Sequence, residues 1–425
     1  MKKTLIAYTI IFTVLAILLY FLSMSWMNFL FRPNLNKEIE IILSEIPRQH
    51  PLVTENQVKE FSRNVENISD ELKLFVSHFE YYEKLAPAFT NFEDTFTYLD
   101  FWEGALHSAY VFPLLFKYRD GQLIIKSSLG NIIPSGSVIK SINEESVDEI
   151  MEYFKKFIYA ETEEEKGFWA CERYLLNFYP EFFKANEYSV QYSYEDNQFE
   201  ETVKQVPWNE FSSWKDRIES TWYELKTYEE FTVLKILDLS YSEQNIYDIR
   251  KVMNELINSN PSKLLIDLTD AKGHGENYYN LQIFLSFLTK EEGYLIPKQV
   301  TRYHEQTGVF AIIPQNNSFQ GELYFLISRY SIYPYIKALI SFCNRTNTGV
   351  FIGESPLSSG DYFSNPFKEP LYISYLIPKV CRTYNAFEKE NFEKIISKEI
   401  SFSITDYLKL LDFEKDYRNY FSLLQ

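Results

Sequence analysis

Residues 323–340 read LYFLISRYSIYPYIKALI, and the fold is legible from this stretch outward. With Glu322 added, its first part is ELYFLIS, a continuous apolar run of strand length, as expected of a strand buried on both faces. A helix follows over residues 332–344. The same grammar recurs on both sides. FTVLKILDLS (231–240) reads as a strand, and Ile246, Ile249, Val252, Met253, Leu256 and Ile257 then fall on one face of a helix. LLIDL (264–268) is a buried strand followed by a helix over 278–288, and GVFIGE (349–354) is a further strand. Strand–helix alternation predicts right-handed crossovers and a mostly parallel sheet covered by helices. Ligands of such sheets sit beyond the carboxyl ends of the strands. Three loops meet that description, over residues 269–276, 328–335 and 353–360.

Ahead of this α/β part the hydrophobic period is two. FPLLFKYRDGQLIIK (112–126) predicts a hairpin turning at Asp120-Gly121. IIPSGSVIKSINEESVDEIM (132–151) reads as a glycine-containing turn, a strand, a second turn and a helix start. A helical insert follows, whose acidic run Glu161 to Glu165 is expected to be a solvated face. YSVQYSYEDNQFEETVKQV (188–206) is a second alternating hairpin. Further upstream, residues 34–102 read as helices, with Ile39, Ile42, Leu43 and Ile46 on one stripe and Val58, Phe61, Val65, Ile68 and Leu72 on another. His50-Pro51 separates the two, and Asn91 and Asp94 mark later turns.

Residues 4–31 carry no charged side chain; Lys2 and Lys3 precede them and Arg32-Pro33 follows. A helix needs about 20 apolar residues to cross the hydrocarbon layer. The segment lacks a small-x-small cleavage site, so it is read as an uncleaved, single-span anchor rather than a signal peptide. The two lysines favour a cytoplasmic N-terminus and an extracytoplasmic body. The expected division is 1–33 (tip and anchor), 34–104 (helical), 105–210 (β module with helical insert) and 211–425 (α/β core).

Composition narrows the function. The chain has 425 residues, 42 basic and 59 acidic, for a net charge of -17. Hydrophobic residues at 46% and aromatics at 18% describe a well-cored protein of roughly two to three domains. An acid excess argues against nucleic acid, whose phosphates are bound by Lys and Arg. Three distant cysteines, Cys171, Cys343 and Cys381, exclude a disulfide scaffold and a zinc ribbon. Five histidines without metal-site spacing, and the absence of nucleotide loops, predict no metal and no cofactor.

IPSGSVIKSINEESVDEI resembles the PDZ-like segment of the C-terminal-processing (tail-specific, tricorn-core) serine peptidases, in which a glycine turn leads into a strand. KLLIDLTDAKGHGEN is similar to that family's strand ending in a glycine loop, LYFLISRYSIYPYIKALI to its nucleophile strand and helix, and GVFIGESPLSSG to the Gly-Glu segment after it. The pieces occur in family order between about His50 and Asp416. The resemblance implies a ClpP/crotonase-like α/β core with a PDZ-like module. It also implies acyl transfer on peptides by an activated serine, with an oxyanion held by backbone N–H groups. The implied partner is a peptide or protein tail, bound in part by strand addition.

The chain departs from the family at the reacting positions. The serine falls on Tyr333 and the following small residue on Pro334, which has no backbone N–H to give an oxyanion. The family lysine falls near Ser358 or Ser359, and the helix glutamate becomes Ile336 or Lys337. Thr269 and Ala271 replace the arginine and asparagine of the glycine loop, although Gly273 and Gly275 persist. His107 stands where tricorn-like members carry their histidine. Ser331 is a displaced nucleophile or an N-cap; His107 is its base or a packed side chain. His274, with Gly273, Gly275 and Tyr333, would contact a ligand or simply form a turn. Glu354 is catalytic or a hydrogen-bond partner of loop backbone. Cys343 is expected to be buried. Three functions follow: a catalytically degenerate peptide-binding member, an active endopeptidase using Ser331 and His107, or an envelope scaffold whose cleft is filled by its own side chains.

Overall fold

The computed structural model describes residues 29–411 except 51–52, 102–105, 107–108, 186, 196, 241–242, 274–277, 296–297, 301–304, 308–309, 358–370, 372–375, 380–383 and 387–394, together with Thr13 and residues 416–418. The α/β part is built on a six-stranded sheet. Its order is Tyr223–Thr227, Thr232–Ile236, Lys263–Asp267, Glu322–Ile327, Val350–Gly353, Ile396–Glu399. All neighbours are parallel except the first pair. The central strands are the predicted apolar runs, and Leu264, Ile266, Phe325, Leu326 and Ile352 are fully buried. Helices Glu243–Asn258, Tyr279–Leu288 and Pro334–Arg345 occupy the predicted connections. Both edge strands, YELKT and ISKE, are too short and polar to stand out in sequence.

Ahead of the core lies an antiparallel sheet in the order Asn197–Val203, Tyr188–Tyr194, Val138–Ile142, Gln122–Ser128, Leu114–Arg119. The first hairpin turns at Asp120 (φ 49°) and Gly121 (φ 74°), and the two-residue loop with positive φ at both positions matches the twist of its strands. A second such pair, Asn143 (φ 50°) and Glu144 (φ 69°), links Val138–Ile142 to Glu145–Ser146. Ser146 and Glu149 then form a reciprocal cap that starts helix Val147–Lys155. The insert contributes helix Glu163–Glu172, laid against the Leu114–Arg119 strand. Gly167 makes that approach feasible, because a Cβ there would sit 2.1 Å from the Tyr118 ring.

The N-terminal part holds helices Arg32–Gln49, Glu55–Glu71 and His78–Phe89. It differs from the all-helical expectation by two strands. Tyr98–Phe101 pairs with Leu376–Lys379, a partner nearly three hundred residues away that no local pattern reveals. Phe29–Phe31 pairs with Phe75–Ser77 and leads directly into the first helix. Phe29–Phe31 were expected within the membrane span; apart from them and Thr13, that span lies outside the described residues. Among the described residues no helix is long and apolar enough to cross a membrane. Cys171 and Cys343 are buried thiols, and Cys381 lies outside the described residues.

Candidate functional site

The loops leaving the carboxyl ends of the three central strands are laced together. Ser328 Oγ donates to the Thr269 carbonyl at 2.6 Å, and Glu354 N–H donates to the Ile327 carbonyl at 3.0 Å. Ser331 Oγ donates to the Leu268 carbonyl at 2.9 Å and accepts from Ser328 N–H at 3.0 Å. Ser331 is fully buried, and its hydroxyl ties two loops rather than facing an opening. Tyr335 N–H donates to the Gly273 carbonyl at 3.1 Å. A Cβ at Gly273 would fall 2.9 Å from Tyr335 Cβ, so the glycine loop rests directly on the start of the next helix.

That helix, Pro334–Arg345, has Tyr333 at its N-cap and Pro334 at its first position, where a missing N–H costs little. Tyr333 does not cap with its side chain. Its phenol instead reaches across to the insert and donates to Glu172 Oε2 at 2.8 Å. The rings of Trp169 and Phe168 stand edge-on to it, at 5.4 and 6.1 Å between centroids. Only 9% of Tyr333 is exposed. Burial, and then the Glu172 carboxylate, push this phenol well above its usual value, so it stays neutral.

Glu172 belongs to a buried ionic cluster. Lys117 Nζ lies 2.5 Å from Glu172 and 2.5 Å from Asp270. Lys126 pairs with Asp270 at 3.1 Å, and Lys272 pairs with Glu172 and Glu219 at 3.2 Å each. Three lysines thus face three carboxylates. Burial alone would raise the Glu172 carboxyl, but Lys117 and Lys272 outweigh it and hold the group at about 2. Asp270 is lowered against its burial in the same way, mainly by Lys117 and Lys126. Burial and neighbouring Lys117 instead lower Lys126, in spite of Asp270. A second knot surrounds Glu354. Arg119, fully buried, forks onto its carboxylate at 2.6 and 3.2 Å and also donates to the Phe402 carbonyl. Glu354 further accepts from Phe402 N–H at 3.0 Å and Arg329 N–H at 3.3 Å.

The structure therefore places Ser331, Tyr333, Glu354 and Gly273 at one end of the sheet and gives each of them a partner within the chain. His107, His274 and Gly275 lie outside the described residues. Sequence reading missed Lys117, Arg119, Glu172, Asp270 and Lys272. The available signal was two basic residues in an otherwise apolar strand, LLFKYR, every residue of which is buried. The acidic run 161–165 is only partly solvated: Glu165 is 3% exposed, and Glu164 accepts from the Tyr330 hydroxyl. Beside the ionic cluster a cleft of about 900 Å³ opens between the antiparallel module and the core sheet, with Lys126, Asn131, Glu219, Asp238 and Lys272 on its walls. Among the described residues no group of three or more metal-ligating side chains is assembled.

No family model matches the chain, and no curated protein matches its sequence. Its fold is matched by solved structures. A mutant of CPAF is 11% identical with a TM-score of 0.65, covering 92% of this chain and 96% of that one. Mature CPAF complexed with lactacystin is 12% identical with a TM-score of 0.62, covering 92% and 97%. The photosystem II D1 C-terminal processing protease covers 85% and 92% at 9% identity, with a TM-score of 0.48. At this identity the likeness is one of fold: the chain has the mixed α/β fold of the tail-specific protease structures.

Proposed function

We propose that this chain is a distant, catalytically silent member of the tail-specific peptidase family, held at a membrane by residues 4–28 and acting outside the cytoplasm as a binding protein for peptide or protein tails. The observation that carries the reading is the Tyr333–Glu172 bond above Pro334. A serine is missing where the resemblance requires one. The next residue has no N–H to offer an oxyanion, a loss worth on the order of 3 kcal/mol in the transition state. The Tyr335 N–H is already bonded to Gly273. Ser331, two positions before Tyr333, is fully buried with both of its hydrogen bonds made inside the fold. The 900 Å³ cleft beside the cluster is large enough for an extended peptide segment and lies next to the antiparallel module, whose arrangement supports a PDZ-like role.

The burial of Tyr333 favours a second reading, a scaffold whose cleft is filled by its own side chains. One experiment separates the three functions. The full chain, kept in solution by a nonionic detergent, is incubated with an unfolded protein and a peptide library beside a Ser331→Ala control. Saturable peptide binding without cleavage supports the proposal, and neither binding nor cleavage supports the scaffold. Cleavage that the control loses would establish an active peptidase and overturn both.

A further inference from the structure

We propose that Phe31, Leu74 and Phe75 seat the folded body in the membrane surface, sunk among the lipid headgroups beside the point where the apolar segment 4–28 joins it. The inference rests on the anchor proposed above and goes further: the body does not hang on a slack tether but is set against the bilayer by one face.

The patch is built from two parts of the chain. Phe29–Phe31 runs antiparallel to Phe75–Ser77, with Phe31 opposite Phe75. The rings of that pair stand 5.5 Å apart. Leu74 precedes Phe75, and its carbonyl accepts from the Arg32 N–H at 3.0 Å. Phe31 is 40% exposed, Leu74 57% and Phe75 45%. The next pair along the ladder, Leu30 and Val76, is buried. The two strands therefore alternate as strands on a surface do, but their outward set is aromatic where a solvated face carries polar residues. A lone exposed apolar side chain needs no explanation, whereas large ones meeting at one tip mark a surface that is covered in use.

The position of the apolar segment says what covers it. Residues 4–28 carry no charged side chain. As a helix they would extend roughly 37 Å at 1.5 Å per residue, more than the hydrocarbon layer of about 30 Å. Phe31 follows three residues later, a reach of at most about 10 Å. Helix Arg32–Gln49 begins at the very next residue, so no linker separates the segment from the body. The ladder to Phe75–Ser77 then holds the tip at that distance. A headgroup layer is roughly 5–8 Å deep on each side, and apolar faces of membrane-lying elements sink about 5–10 Å into its boundary. A protein partner on these three side chains would have to share that space with lipid. The rim suits headgroups as well. Arg32 adjoins Phe31, and exposed Lys37 lies just over one helical turn further on. Lys73 adjoins Leu74 and is 76% exposed, with Glu80 at 3.4 Å. Long basic side chains at such an edge lay their stems on the apolar surface and turn their charges to phosphate.

The test places an environment-sensitive fluorophore on Leu74→Cys in the full chain, reconstituted into phosphatidylcholine vesicles. A second label on Tyr247→Cys, 68% exposed on helix Glu243–Asn258 of the α/β core, is the comparison. Both substitutions are at exposed positions, Cys171 and Cys343 are buried, and the unsubstituted chain taken through the same labelling sets the background. Vesicle flotation is read first, then quenching by lipid that carries a doxyl group near the top of its acyl chain. The chain should float with the vesicles, the label at 74 should lose most of its emission to the doxyl lipid, and the label at 247 should lose none. The comparison holds whichever way round the chain inserts. Flotation with no quenching at 74, or with equal quenching at both positions, would overturn the seat while leaving the anchor standing. Failure to float would overturn the anchor and the seat together.

Discussion

Replacing Lys117 with Met removes the cation at the centre of the buried cluster while keeping most of the side-chain volume. Lys117 is buried and sits 2.5 Å from each of two carboxylates, Glu172 and Asp270. At the effective dielectric of a protein each such attraction is worth roughly 4 kcal/mol or more, against several kcal/mol for desolvating the lysine. Removing one partner of a buried pair accordingly costs about 3–5 kcal/mol, a large part of a typical total of about 5–15 kcal/mol. For a chain of this length the melting temperature should fall by roughly 3–6 °C. Acid stability should change as well. The folded-state carboxyl of Glu172 lies at about 2, below its ordinary 4.5, so it contributes stability that is complete above 4.5 and lost as pH falls through 2. Without Lys117 both carboxyls titrate higher, and acid unfolding should begin closer to neutrality. Thermal unfolding followed by near-ultraviolet circular dichroism at steps from pH 7 to pH 3 measures both effects. Adding Asp270→Asn should recover part of the loss, because it removes the stranded charge. An unchanged melting temperature and acid midpoint in Lys117→Met would show that the cluster is not the tightly coupled buried unit described.

Three further outcomes follow from the same geometry. Glu354→Gln removes the carboxylate on which the fully buried Arg119 forks, leaving it the Phe402 carbonyl and Asp120 at 3.4 Å, and should cost about 3 kcal/mol in urea unfolding. Tyr333→Phe deletes one hydrogen bond to a charged acceptor and should cost roughly 1.5–3 kcal/mol, leaving the fold intact by circular dichroism. Gly353→Ala should yield little soluble protein: Gly353 has φ 122°, and a Cβ there would lie 1.9 Å from the Ile327 carbonyl oxygen, backbone that cannot step aside.

The parallel core was legible because its strands are apolar on both faces and its helices carry one apolar stripe. LLIDL, ELYFLIS and GVFIGE could be recognised as strands on sight, and the Asp120-Gly121 hairpin announced itself by its turn chemistry. The edges were not legible. ISKE becomes a strand only because Val350–Gly353 offers it a ladder, and Tyr98–Phe101 only because Leu376–Lys379 does. Tyr333 and Pro334 were found because the resemblance to the tail-specific peptidases sets the family's serine and the residue after it on these two positions. Their partner Glu172 was not, since nothing local says that the end of an insert helix will fold onto that position. The same holds for Lys117, whose charge in an apolar strand makes sense only once Asp270 and Glu172 are brought to it from distant parts of the chain. Buried ion pairs are tertiary facts, invisible to periodicity.

The central claim, that no serine of this chain is a nucleophile, is tested most directly by intact-mass measurement after treating the full chain with a fluorophosphonate, which phosphonylates activated serine hydroxyls. The account predicts an unchanged mass, with an active serine hydrolase labelled in parallel. A stoichiometric adduct mapped by peptide sequencing to Ser331, or to any serine of the loops at the carboxyl end of the sheet, would contradict it.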